Sequence, residues 1–377
     1  NGLVLKETNE VKNLNREDAH FFSSDVSDQY ASGRPFVSIT YRNQSGLENY
    51  QTFSEHTIGN LDVAINNYNG NFVLTYEGAS TPGNRLPVNI NHVYNTNDKN
   101  TNIGYGKGFR LNLNQVIEQD GENLKYTDED GTKHWFKKEE NKYVDEDGLD
   151  LSIYVDGDNY RMEDKSGNSS IFIKRNNIWH LSEVRDNSNN KIIISLDAND
   201  YNKINKVTDG AGDEIDLIYK DNLLEKIVDS NNREFKFIYS NNNLIKIILP
   251  DNTTNELFYN NDLITKIIAP EGNYNTYEYY SNSPFKLKKI NEFGKNNDPG
   301  NSLEFKYSEN TTSITEASGR TTNYLFNDYG NTTSITDLDG QNSVQDAYGQ
   351  VYTFETDNEK GKNRLKSEGN LIKNTNN

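Results

Sequence analysis

The chain has 377 residues, enough for two or three ordinary domains or one long repeat array. Its 57 acidic and 39 basic residues leave a net charge of −18, which repels phosphate backbones and anionic lipid and makes nucleic acid and membrane surfaces poor partners. Cysteine is absent, so disulfides, thiolate metal sites and cysteine nucleophiles are excluded.

Apolar residues make up only 33%, but aromatics reach 11% and recur at fixed intervals, which predicts a folded, β-rich chain with a thin core. Residues 1–44 hold the strand-like "GLVLKE" and "PFVSITYRN" between polar loops. Residues 45–118 read as strands without a period. Within them "DVAINNYNGNFVLTYEG" predicts a hairpin about Asn69-Gly70, a pair that readily adopts the positive φ of a tight turn. "RLPVNINHVY" and "GFRLNLNQVI" continue the strand pattern. Over 119–175 Tyr126, Tyr143 and Tyr160 stand 17 residues apart, each beside an acidic turn, and predict short hairpins.

The period lengthens to 20–21 residues in the next block, 176–350, with the 21-residue unit spanning Gly319–Gly340. Tyr219, Tyr239, Tyr259 and Tyr279 keep the 20-residue spacing without a slip, as do Lys206, Lys226, Lys246 and Lys266. A β-branched residue follows each lysine, and Leu217, Phe237, Leu257 and Tyr277 lie two places before the tyrosines. Period-2 alternation of Ile, Phe and Tyr indicates strands, and the Asn/Asp/Gly clusters between them indicate turns. Each unit is therefore one hairpin, and stacking brings equivalent residues into columns about 9–10 Å apart. The tyrosines are expected to form a packed stripe whose hydroxyls reach water or a carbonyl. "SPFKLKKINEFGKNNDPG" breaks the register and reads as a longer loop. Residues 351–377 lose the strand signal and read as a linker or fragment end.

Two stretches carry a resemblance. "NYLFNDYGNTTSITDLDG" holds Tyr-x-Phe-Asn-Asp-x-x-Gly-Asn followed by Thr-Asp-x-x-Gly, and "YNNDLITKIIAPEGN" holds a degenerate version. This resembles the YD or RHS repeat of bacterial RHS and wall-associated proteins, toxin-complex shell proteins and teneurins. "GLENYQTFSEHTIGNLDVAINNYNGNFVLTYEGASTPGNRLPVNINHVYN" with "GYGKGFRLNLNQ" is similar to the lead-in of the RHS region in large Gram-positive wall-associated proteins. "FFSSD…GRPFVSITYRN" resembles the last strands of the β-sandwich module that precedes that lead-in. The resemblance implies an all-β fold of stacked antiparallel hairpins, forming a curved ribbon that is part of a hollow shell, with a sandwich tail at 1–44. It further implies a secreted or cell-wall location in a Gram-positive bacterium. The expected partners are the remaining repeats and a C-terminal toxin of the same polypeptide, of the polymorphic type. The terminal core segment with its self-cleavage motif is missing, so the chain reads as an interior fragment, expected to be an open wall rather than a closed cage.

Site chemistry is sparse. "TDEDG" and "VDEDG" place Asp128, Asp130, Asp145 and Asp147 in acidic turns that a calcium ion could use, although the spacing of a calcium loop is lacking and Asp-Gly is an ordinary hairpin turn. His20, His56, His92, His134 and His180 are isolated in sequence and read as packed or exposed side chains. No nucleophile elbow is present, and no enzymatic activity or cofactor is expected. Trp135, Trp179 and the tyrosine columns could instead stack on sugar rings, which would make the chain a surface adhesin. Exposure of the tyrosine column separates that reading from the scaffold.

Overall fold

A computed structural model describes residues 46–48, 50–83, 85–338, 346–354 and 365–374. The expected sandwich tail and His20 lie outside them. The fold is all-β, and its strands pair antiparallel with their sequence neighbours into two sheets.

The first sheet has the order β1 (Phe53–Ile58), β2 (Leu61–Asn66), β3 (Phe72–Ser80), β4 (Asn89–Asn95) and β5 (Phe109–Leu111). The hairpin expected about Asn69-Gly70 joins β2 to β3, with Gly70 at φ 73° and its N–H donating to the Asn66 carbonyl at 2.8 Å. A side chain at Gly70 would also collide with Lys286 and Tyr307, so only glycine serves there.

The second sheet begins with β6 (Val116–Asp120), β7 (Asn123–Thr127), β8 (Lys133–Glu139), β9 (Lys142–Asp145), β10 (Ser152–Asp156), β11 (Asn159–Glu163), β12 (Ser169–Arg175) and β13 (Ile178–Arg185). Each pairs with the next, and β13 returns to β6 through Ile178↔Glu118, Trp179↔Ile117 and His180↔Val116. The 17-residue hairpins thus close into a ring, which their period did not foretell. Inward side chains fill it, as in other small barrels. Ile117, Leu124, Phe136, Ile153 and Phe172 are fully buried, and Tyr126 meets Phe172 edge-on across non-adjacent strands at 5.9 Å. Tyr126, Tyr143 and Tyr160 are buried members of this filling, with Tyr143 against Tyr160 and Tyr160 against Trp179.

The edge of β13 is shared. Its first residues bind β6, while Glu183–Arg185 bind β14 (Lys191–Leu196), where an open ribbon starts and runs to β29 (Leu365–Asn374). The 20-residue units lie in this ribbon and repeat in detail. One end of each hairpin turns through two residues with positive φ: Asp221-Asn222, Asn241-Asn242 and Asn261-Asp262. That pair of angles matches the strand twist, and Asn and Asp tolerate it best after glycine. The other end often turns beneath an Asp cap. In the turns after Asp209 and Asp229, Oδ1 accepts the N–H groups two and four residues on at 2.8–2.9 Å. A bulge leaves Glu225, Ile245 and Thr265 without a cross-strand partner. It lets Leu224 and Ile227 both face inward although they stand an odd three positions apart.

Two stretches depart from expectation. The region after Pro284 is not a loop: β23 (Leu287–Phe293) pairs with β22 (Tyr274–Tyr279) and buries Leu287 and Ile290. Its lysines mask the alternation. Residues 365–374, read as a linker, form β29 and pair with β28 (Asp346–Phe354), because backbone pairing there does not require an apolar sequence.

The first sheet lies over the ribbon, and one apolar core runs through both. Phe72 packs against Tyr277 at 4.9 Å, His92 against Phe237 at 4.7 Å and Tyr105 against Tyr219 at 6.0 Å. The ribbon's inward rows, Leu217, Phe237, Leu257, Tyr277 and Ile227, Ile247, Ile267, are buried.

Candidate functional site

The tyrosine column sits at the rim of this core, half-buried and on one face. Three of the four hydroxyls are aimed back one hairpin. Tyr219 donates to the Ile204 carbonyl at 3.0 Å, Tyr259 to Leu244 at 2.6 Å and Tyr279 to Ile264 at 2.9 Å. All three bonds span 15 residues, so the column is a set of ties between successive hairpins. Tyr239 lies beside Gly106, where an added Cβ would come within 3.2 Å of its ring. Burial raises the pKa of every member far above the ordinary phenol value. Tyr259→Phe keeps the ring and removes one tie. It is expected to cost about 1 kcal/mol in urea unfolding, with the denaturant dependence unchanged.

The lysine column faces outward and meets acids on the next strand. Lys206 binds Glu214 at 2.5 Å, Lys226 binds Glu234 at 2.5 Å and Lys246 binds Glu256 at 2.7 Å. Lys266 lies 3.8 Å from the centre of the Tyr274 ring. Of the two tryptophans, Trp179 offers no open stacking platform. Trp179 is buried against Tyr160, and the Trp135 indole N–H donates to Asp120.

Titratable groups converge at the ring's acidic turns. His134 enters at the start of β8, where the alternation that places Phe136 inward also places His134 inward, and it is 1% exposed. Its Nδ1 lies 3.1 Å from Asp147 Oδ2. Its Nε2 lies 3.1 Å from Asp128 Oδ2 and 3.3 Å from Glu48 Oε1. Burial alone would lower the His134 pKa, but hydrogen bonds to Asp128, Asp147 and Glu48 outweigh it and hold it up at about 12. His134 thus sits hydrogen-bonded among three carboxyl groups. Burial, then the Asp128 charge, pushes Asp130 up to about 6.

Of the four aspartates read as calcium candidates, Asp128 and Asp147 reach the imidazole, whereas Asp130 and Asp145 accept backbone N–H groups. Asp130 takes Leu47 N–H at 2.6 Å and Thr132 N–H at 2.9 Å; Asp145 takes the N–H groups of residues 147, 148, 149 and 151. Glu48, Asp128 and His134 present ligand atoms within 4.8 Å of one another and could hold a cation. Sequence reasoning missed Glu48 and treated His134 as isolated. The other described histidines are packed. His56 hydrogen-bonds Tyr277 and is lowered by burial to about 4, His92 is lowered by burial to about 3, and His180 is lowered by burial and by Arg175.

A family model described as "Domain of unknown function (DUF6531)" matches residues 63–136. No curated protein sequence matches the chain. Among solved structures, TcdB2-TccC3-TEV is similar at 13% identity over 82% of this chain and 15% of that one, with a TM-score of 0.30. TcdB2-TccC3 is similar at 8% identity over 85% and 17%, with a TM-score of 0.28. A porin-like protein from Bacteroides uniformis is similar at 9% identity over 81% and 89%, with a TM-score of 0.21. The chain thus spans less than a fifth of either TcdB2-TccC3 chain. No described helix is long and apolar enough to cross a membrane.

Proposed function

We propose that this chain is a non-catalytic structural segment of a large secreted or cell-surface RHS-repeat protein, a length of shell wall that carries or encloses a C-terminal toxin of the same polypeptide. The observation that carries this reading is the unbroken pairing of the YD-type hairpins into one ribbon, with its inward face sealed by the lead-in sheet. Such a wall needs regular hairpins, buried ties and a charged outer face, and the tyrosine and lysine columns supply the last two. The adhesin reading needs repeat aromatics open to solvent. The tyrosine column is instead packed against the core and bonded to carbonyls, which favours the scaffold.

Electron microscopy of the intact polypeptide tests this. A hollow particle whose wall contains the β14–β29 ribbon, with downstream sequence inside, is the expected result. A solid rod, or tight binding of a cell-wall glycan lost on Tyr259→Ala in a folded chain, would overturn it.

A further inference from the structure

We propose that Glu48, Asp128 and His134 form a binding site for one divalent first-row cation of the zinc class, which fastens the segment before β1 to the ring. This goes beyond the scaffold reading and does not depend on it.

The ligand set is the first support. One imidazole nitrogen and two carboxylate oxygens suit zinc, cobalt or manganese; calcium takes oxygen alone. Spacing is the second. A tetrahedral ion with bonds of about 2.0–2.2 Å holds its ligands roughly 3.3–3.6 Å apart, and Nε2 stands 3.1 and 3.3 Å from its two oxygens, a few tenths of an ångström from that spacing. The third is orientation: Asp147 lies on Nδ1, so Nε2 is the atom that faces Glu48 and Asp128, the usual carboxylate–histidine–metal arrangement once its proton is lost.

Tyr50 is an independent observation. Its hydroxyl is wholly buried without a hydrogen-bond partner, in the field of Glu48, Asp147, Asp128 and Asp130. A buried hydroxyl without a partner is costly, and an ion there would offer it a partner. Glu48 is also delivered rather than drifting. Leu47 N–H is bound to Asp130, and at Gly46 an added Cβ would come within 2.0 Å of Asp130 and Thr132. Only a glycine lets the segment approach so closely. On binding, the ion replaces any proton on Nε2, which leaves to solvent; no other bond changes.

The test uses the full 377-residue chain without an affinity tag, stripped with EDTA and titrated with Co²⁺ and then Zn²⁺. One equivalent of Co²⁺ is expected, with visible d–d absorption that Zn²⁺ abolishes, and Zn²⁺ is expected to raise the thermal midpoint. Glu48→Gln should weaken binding by at least about tenfold and Asp147→Asn by about 10–100-fold. Asp164→Asn, a turn cap outside the cluster, should leave it unchanged. His134→Gln should abolish binding; should that variant misfold, Glu48→Gln decides alone. Absence of stoichiometric Co²⁺ or Zn²⁺ binding, unaltered binding by folded Glu48→Gln, or a site that takes only Ca²⁺ would each overturn the proposal.

Discussion

Phe72→Ala should destabilise the chain by about 3–5 kcal/mol in equilibrium urea unfolding. Phe72 is fully buried and meets three rings: Tyr277 at 4.9 Å, Tyr94 at 6.1 Å and Tyr279 at 6.4 Å. Two of these belong to the ribbon and one to its own sheet, so truncation opens a cavity between the layers rather than within one. A cavity there cannot close by a local side-chain shift, because hairpins on either side hold the layers apart. Phe258→Ala is the matched control. Phe258 lies in the ribbon but outside the core, at 44% exposure, and its loss should stay within about 0.5 kcal/mol. Equal costs for the two would show that the layers do not share a core.

Removing residues 53–111 is expected to abolish the fold of the ribbon. A stack of repeats normally gains its stability from nearest neighbours, and a shortened array survives. Here the inward rows Leu217, Phe237, Leu257 and Ile227, Ile247, Ile267 are covered by the first sheet, not by the next hairpin. Without that sheet the ribbon would expose a continuous apolar face, which soluble monomers avoid. Loss of a cooperative melting transition, strong binding of an apolar dye and elution as aggregates are the expected observations. A soluble monomer melting near the temperature of the intact chain would show that the ribbon stands alone.

These two results bear on what can be read from sequence. The ribbon was legible because stacking repeats one local solution. Tyr219, Tyr239, Tyr259 and Tyr279 recur at 20 residues. Three of them tie to the carbonyl 15 residues earlier, and a bond at fixed separation writes itself as a period. The hairpin at Gly70 was legible for a local reason too, since positive φ selects the residue. Ring closure was not legible: Trp179 and Ile117 meet through backbone bonds between strands far apart in the chain, and backbone bonds leave no mark on residue type. The His134 site was hidden by the same step. Asp128 and His134 are close in sequence, but Glu48 and Asp147 arrive only through docking of the segment ahead of β1 and the pairing of β8 with β9. The strand after Pro284 was misread because Lys286, Lys288 and Lys289 surround its two buried residues.

The forked edge of β13 gives the ribbon a direction. An antiparallel sheet usually ends in two raw borders, and either one can accept a stray strand. Here the upstream border is consumed: β6 takes one half of β13 and β14 takes the other. Hairpins can therefore be gained or lost on the far side of the fork while the ring keeps every one of its own pairings. A lineage could lengthen or shorten such a wall by whole units, as beads are added to a string already knotted at one end.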